Sequence, residues 1–352
     1  MAISDGRPSC IANRSRDAGG IILGIESTAH TFSIGWVDGL GTPGTSFSAF
    51  VRPVEGGIHP REAADHHAKN AGAILKNLLD NEVNVSEIQA VAFSQGPGLG
   101  PCLRIGASVA RSLAMQLDVP LLGVNHCVAH IEVGRERCDC DDPVLLYASG
   151  GNTQVIARLD GRYRVLGETL DIGIGNMLDK FAREQGIPFP GGPKIEILAK
   201  EWLDKNPNPS LDGLELPYAV QGMDLAFSGI LNSALNLIDN GTPLEAVCWS
   251  LQEHAFAACV EVAERAMAHA GKTELLLGGG VACNDRLRDM CDVMSTSRGG
   301  SSHVPEKGLC VDNGSMIATL GRLQLLWGAP TELSDSGVRQ DLRTDETPIL
   351  WN

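Results

Sequence analysis

Short apolar runs that close on glycine or hydroxyl residues alternate along this chain with longer stretches of helical period. The first run, Ile21-Ile22-Leu23-Gly24-Ile25-Glu26-Ser27-Thr28, is followed by Phe32-Ser33-Ile34-Gly35-Trp36-Val37 with alternating apolar positions. The pattern predicts a strand, a turn and a returning strand. Residues 60–80 read as an amphipathic helix. Val91 to Gln95 predicts another buried strand, which runs through Gly96-Pro97-Gly98-Leu99-Gly100 into a helix over about 105–116. A brief strand over Val119 to Val124 leads to a helix from His126 to His130. Val144 to Arg158 repeats the opening grammar, with Ser149-Gly150-Gly151-Asn152 at the turn, and this echo predicts a duplicated lobe. Beyond it the pattern gives a helix over 174–185, a Pro-Gly break from Pro188 to Pro193, a helix opened by Glu196, and a long helix over 244–270. Leu275-Leu276-Leu277 then predicts a buried strand that opens into Gly278-Gly279-Gly280, followed by helices from about Asp285 and over 315–327.

A chain of 352 residues with 43% apolar positions can bury a large core, and its length favours two domains or one two-lobed unit. The boundaries expected from the pattern are a polar tail over 1–20, an N-terminal lobe over 21–139 completed by about 328–352, and a C-terminal lobe over 140–327. A net charge of −15 opposes non-specific attraction to nucleic acid, so an RNA substrate would need local basic patches or a partner. The ten cysteines form no C-x-x-C pair in a chain too long to need staples, which points to a reducing cytoplasm. No apolar run approaches the ~18 residues of a membrane span.

Five stretches carry candidate chemistry. In a helix, His126 and His130 leave one face with Cβ atoms roughly 6 Å apart and could grip one ion, though such pairs also arise by chance. Position 127 is Cys rather than the Glu that a zinc-peptidase helix uses as its base. Asp312, ahead of the last helix, reads as a helix cap or as a third ligand. The glycine loop at 96–100, with Arg104 and Arg111 nearby, suggests an anion site at a helix start, and the hydroxyl turn Ser27-Thr28 could bond a phosphate, although unliganded hairpin turns are commoner there. Cys138-Asp139-Cys140-Asp141-Asp142 fits an acidic turn better than a metal loop.

These residues resemble one family, the tRNA threonylcarbamoyladenosine synthases that form the catalytic subunit of the KEOPS complex. The likeness rests on Gly24 to Thr28, Gln95 to Gly98, Asn125 to Glu132, Ser149 to Gln154, Gly222-Met223-Asp224 with Phe227-Ser228-Gly229, Gly279 to Asn284 and Asp312-Asn313-Gly314, in the family's order. Ser334 to Gly337 and Arg343 to Glu346 are similar to the archaeal and eukaryotic branch. The resemblance implies an actin-like α/β fold, two duplicated lobes of mixed sheet flanked by helices with a ligand cleft between them. It implies one metal ion on His126, His130, Tyr147 and Asp312, iron favoured over zinc. It also implies an ATP- or AMP-type nucleotide on Tyr147, Ala148, Ser149, Gly150, Gly151, Asp179, Gly192, Glu196 and Asn284. The implied reaction moves threonylcarbamoyl from threonylcarbamoyl-AMP to the exocyclic amine of a tRNA adenine, with KEOPS subunits, including a small atypical kinase, as partners. A metal-dependent glycopeptidase and an actin-like ATP-binding kinase or scaffold remain as alternatives.

Overall fold

The computed structural model describes residues 17–51 and 59–351, and most of the expected polar tail lies outside them. Two compact units emerge. The first comprises the described residues of Met1–Asp141 with Gly161–Tyr163 and Val311–Asn352, and the second comprises Asp142–Asp160 and Arg164–Cys310.

In the first unit, strands β1 (Ile21–Glu26), β2 (Thr31–Val37), β3 (Phe47–Phe50), β4 (Ile88–Gly96) and β5 (Leu121–Asn125) form a sheet in the order β3-β2-β1-β4-β5. β1 pairs antiparallel with β2 and parallel with β4, and β4 pairs parallel with β5. Every residue of β1 is buried, as a strand covered on both faces requires. Its odd positions Ile21, Leu23 and Ile25 join a core with Ala71, Ile74 and Leu78 of α1 (Pro60–Asn81) and Ala107 and Ala110 of α2 (Gly100–Leu117). Helix α3 (His126–Cys138) follows β5 without a linker.

The second unit repeats this plan. Strands β6 (Val144–Ala148), β7 (Thr153–Leu159), β8 (Arg162–Glu168), β11 (Glu274–Gly278) and β12 (Ser301–His303) form the sheet β12-β11-β6-β7-β8. Again the first strand has an antiparallel neighbour on one side and a parallel one on the other. The echo between residues 21–37 and 144–158 is therefore a true internal duplication. The short pair β9 (Val220–Gln221) and β10 (Asp224–Leu225) stands apart. The unit's core draws on α4 (Ile174–Glu184), α5 (Gly192–Lys205), α6 (Ser228–Asp239), α7 (Leu244–Ala270) and α8 (Asp285–Ser297). Helix α5 starts at Gly192 rather than at Glu196, because Pro193 fits the first turn, where its missing N–H costs nothing. A short helix, α9 (Lys307–Cys310), ends the unit.

Helix α10 (Gly314–Trp327), expected with the C-terminal lobe, instead packs on β1, β2 and β4 of the first unit. The reason is steric complementarity. A Cβ on Gly24 would meet the Ala318 backbone, one on Gly314 would strike Gly35 N, and one on Gly321 would strike Ala92. Glycine at 24 and 314 lets helix and sheet touch backbone to backbone, and Gly321 leaves room for the Ala92 methyl.

Candidate metal centre and nucleotide loops

Asn125 ends β5 and caps α3, its Oδ1 accepting the N–H groups of Cys127 and Val128 at 2.9 and 3.2 Å. Its amide donates in turn to Arg343 O at 3.0 Å. The cap fixes His126 as the first helical residue and sets His130 one turn later, with ring centroids 4.8 Å apart and planes at 82°. Both rings are buried, at 4% and 2% exposure. Asp312 arrives from 182 positions away, its Oδ1 standing 3.2 Å from His130 Nε2 and 3.5 Å from His126 Nε2. Asp312 does not cap α10. Asn313 does so through a 2.9 Å bond to Met316 N, which leaves the Asp312 carboxylate directed at the two imidazoles.

The donor set fits a small divalent cation. Tetrahedral ligands at about 2.1 Å from a metal lie roughly 3.4 Å from one another, close to the two distances just given. One ligand atom from each of the three residues can be chosen with all three within 4.8 Å of one another. Two imidazoles and a carboxylate suit iron and zinc alike.

Glu26, at the end of β1, supplies what the sequence reading missed. Wholly buried, it reaches His126 Nδ1 through Oε2 at 2.9 Å, while Oε1 accepts the Thr28 N–H at 2.6 Å and the Thr28 hydroxyl at 2.5 Å. The available signal was an acid closing an otherwise apolar strand. Burial alone would depress the basicity of His126, but the carboxylates of Glu26 and Asp312 outweigh it and raise the pKa to about 9. At His130 burial prevails over Asp312 and, aided by the neighbouring His126, lowers the pKa. Burial opposes ionisation of Asp312, yet the two imidazoles hold its carboxyl well below the usual range.

The second unit holds the remaining expected residues. Tyr147 and Ala148 end β6 and are buried. The following turn closes by Ser149 N–H donating to Asn152 O at 2.9 Å, and Gly150 and Gly151 are exposed. The N-terminus of α4 rests on this turn, Gly175 N donating to Ser149 O and Asn176 N to Gly150 O. Gly279, at φ +88°, lies so close to Ala148 O that a side chain there would collide with it. Asp179 accepts from Gly191 N at 2.7 Å, immediately before Gly192, and Glu196 accepts from Asp285 N at 2.7 Å. Asn284 is buried, capping α8 with Oδ1 and donating to Gln252 Oε1 at 2.7 Å. Ser149, Gly150, Gly279, Asn284, Glu196, Asp179 and Gly192 thus belong to one chain of loop contacts around the ends of β6 and β11.

The glycine loop and the Ser27-Thr28 turn both spend their donors within the chain, against the anion site expected at the first and in keeping with the unliganded turn favoured at the second. Gly98 N donates to Gln340 O at 3.1 Å and Gly100 N to Gln340 Oε1 at 3.2 Å, so the 96–100 loop is a bed for the C-terminal segment. Arg111 donates to Ser336 Oγ at 2.8 Å and to the Ser336 carbonyl, so its charge also serves that segment. At the Ser27-Thr28 turn both residues are buried, with the Ser27 N–H bound to Ser94 Oγ at 3.1 Å and the Thr28 donors bound to Glu26. Cys127, at the position of a peptidase base, is buried with its thiol pushed up to about 12, chiefly by desolvation. Cys138 to Asp142 closes α3, Asp139 taking the left-handed cap and Asp141 O accepting two N–H groups of Arg135.

Comparison with known proteins finds relatives along most of the chain. The chain is 51% identical over 338 residues to a probable bifunctional tRNA threonylcarbamoyladenosine biosynthesis protein of Methanosarcina mazei, covering 94% of this chain and 59% of that protein. It thus spans about three-fifths of the bifunctional relatives' length. A tRNA N6-adenosine threonylcarbamoyltransferase of Archaeoglobus fulgidus is 50% identical over 332 residues, covering 94% of this chain and all of that one. Among solved structures, HypF of T. kodakarensis superposes with a TM-score of 0.60 at 17% identity over 89% of this chain and 48% of that one. Component A of (R)-2-hydroxyglutaryl-CoA dehydratase from Acidaminococcus fermentans gives 0.55 at 10% identity, over 87% and 99%. At such identities these two speak for the fold alone, which is actin-like. The family profile described as tRNA N6-adenosine threonylcarbamoyltransferase matches residues 47–319, and with the relatives above this shows that the chain belongs to that family.

Proposed function

We propose that this protein transfers the threonylcarbamoyl group of threonylcarbamoyl-AMP to the exocyclic amine of the adenine 3′ of the anticodon, in tRNAs that read codons beginning with adenine, and releases AMP. The observation that carries this reading is the 50% identity along the whole length of a relative bearing that activity in its name. The amine nitrogen attacks the carbamoyl carbonyl carbon, the bond from that carbon to the phosphate oxygen breaks, AMP leaves with the bonding electrons, and the nitrogen gives up one proton to solvent. An aromatic exocyclic amine is a weak nucleophile, so the demand falls on the carbonyl and on the leaving phosphate.

His126, His130 and Asp312 would hold a divalent metal ion, iron rather than zinc, with Tyr147 as fourth ligand. Such an ion supplies Lewis acidity toward the carbamoyl and phosphate oxygens. The exposed glycines of the Ser149-Gly150-Gly151-Asn152 turn, beside the N-terminus of α4, would donate backbone N–H groups to the phosphate. Ala148, Gly192 and Asn284 would border the nucleotide, and Asp179 and Glu196 would accept from its ribose hydroxyls. Because the chain carries a net charge of −15, tRNA would be presented by partner subunits of the KEOPS type, including a small atypical kinase, in the cytoplasm. Among the described residues no helix is long and apolar enough to cross a membrane.

The test is transfer of labelled threonylcarbamoyl from its adenylate to a tRNA transcript, with partner subunits present. His126→Ala and Asp312→Ala should each lower transfer at least 100-fold and abolish metal retention. Undiminished transfer in both variants would refute the assignment.

A further inference from the structure

Resting on the metal site just proposed, we infer that Glu26 is a positioning residue, which orients His126 so that Nε2 presents its lone pair beside Asp312. A buried carboxylate is costly, and a well-packed apolar or amide side chain often serves stability as well or better. Glu26 is nevertheless wholly enclosed at the end of a central strand. Its two oxygens divide the work. Oε1 is held by the Thr28 N–H and hydroxyl at 2.6 and 2.5 Å, which fixes the plane of the carboxylate. Oε2 faces His126 Nδ1 at 2.9 Å. The two imidazole nitrogens diverge from a rigid ring, so a bond at Nδ1 determines where Nε2 points, and here it points toward Asp312 Oδ1, 3.5 Å away. The tautomer follows too. With the proton on Nδ1, donated to the carboxylate, Nε2 is the nitrogen left to bind an ion.

The chain of support is therefore Thr28 to Glu26 to His126, from a turn to a strand end to a helix start. Nothing comparable is needed if the pair served folding alone, since a neutral imidazole could be satisfied by the Thr28 hydroxyl, which lies 3.4 Å from the same Nδ1.

The experiment titrates Co2+ into the full-length apo-protein and reads affinity and the visible d–d spectrum, with urea unfolding of each variant as the measure of stability. Glu26→Gln removes the charge, whereas Glu26→Asp keeps it and withdraws it from Nδ1 by one methylene. Leu23→Ala, on the same strand and in the core, is the control for stability loss without contact with the site. Wild type should bind one Co2+. Both Glu26 variants should bind it about 10–100-fold more weakly and shift the d–d bands, while Leu23→Ala loses stability at unchanged affinity. Full affinity and an unshifted spectrum in Glu26→Asp would overturn positioning and leave charge alone. If both Glu26 variants equal wild type, the inference fails while the metal site stands. If wild type takes up no Co2+, the metal site itself falls, and this inference with it. Should Glu26→Gln not fold, Glu26→Asp decides.

Discussion

Gly24→Ala is the sharpest test of how the first unit is built. The new methyl carbon would sit 2.9 Å from Ala318 Cα and closer still to Ala318 N and Gly314 O, all backbone atoms of α10. Carbon atoms rest at about 3.5–4.0 Å, so the helix must withdraw from the sheet by roughly 1 Å. β1 cannot yield instead, because it is held between β2 and β4 along its length. Overpacking of this kind costs about 1–3 kcal/mol, and with backbone on both sides the upper end applies. Replacing glycine in a strand returns about 0.5–1 kcal/mol, which leaves a net loss of about 2 kcal/mol. The site should suffer as well, since Asp312 lies two residues before Gly314 and metal–ligand distances tolerate only about ±0.2 Å. Urea unfolding and Co2+ titration read the two effects separately. An unchanged unfolding free energy would refute the packing argument. A lowered one with full Co2+ affinity would refute the claim that α10 positions Asp312.

Other outcomes follow from single groups. Burial tends to raise the pKa of Asp171, but the Ser228, Ile172 and Phe227 N–H groups bonded to it outweigh that and depress it. Its contribution is therefore fully present above the ordinary carboxylate pKa and is lost as pH falls through the depressed value. Exposed to solvent that screens it, Asp171 should contribute less than about 1 kcal/mol at neutral pH, and the gap between Asp171→Ala and wild type in urea midpoint should shrink on acidification below pH 4. A gap that widens there would reverse the sign and refute it. Cys283 has its thiol lowered to about 7, chiefly by a hydrogen bond with Cys310, against burial and with help from Arg288 and Lys307. Burial raises Cys102 to about 11 and Cys248 and Cys291 to about 12. Iodoacetamide at pH 7 should label Cys283 ahead of Cys102, Cys248 and Cys291, as peptide mass mapping would show. Uniform labelling would contradict the assignment.

Strands β1, β2, β4, β5, β6, β7 and β11 and most helices were legible because their apolar residues run together or alternate, whereas the edge strands β3, β8 and β12 are partly exposed and carry no such signal. The His126 and His130 pair was legible from spacing, since one helical turn fixes their separation. Asp312 was legible only as a cap or a third ligand, because a residue 182 positions away is brought to the pair by the packing of α10, which no local pattern announces. The same limit explains the 96–100 loop. Its glycines looked like an anion cradle, but the partner of their N–H groups is Gln340, and no local pattern announces a carbonyl 240 positions away. Glu26 escaped notice for a different reason. A carboxylate at a strand end reads as a turn residue, and only the burial of Thr28 and His126 around it reveals a shared interior.

The discontinuity of the first unit bears on how the chain is born. Ile22, Ala92 and Leu122 leave the ribosome early, yet the helix that shields them, with Gly321 against Ala92, is emitted some 200 residues later. At about 5–20 residues per second, this sheet face waits roughly 10–40 s for its cover. Gly314 N closing on Ser33 Oγ spans 281 positions and is among the last bonds translation permits. The second unit, by contrast, emerges almost whole during that wait. Vectorial synthesis therefore favours an inverted order, in which the later-encoded unit matures before the earlier one, and the nascent first sheet is the species that a holdase chaperone would meet.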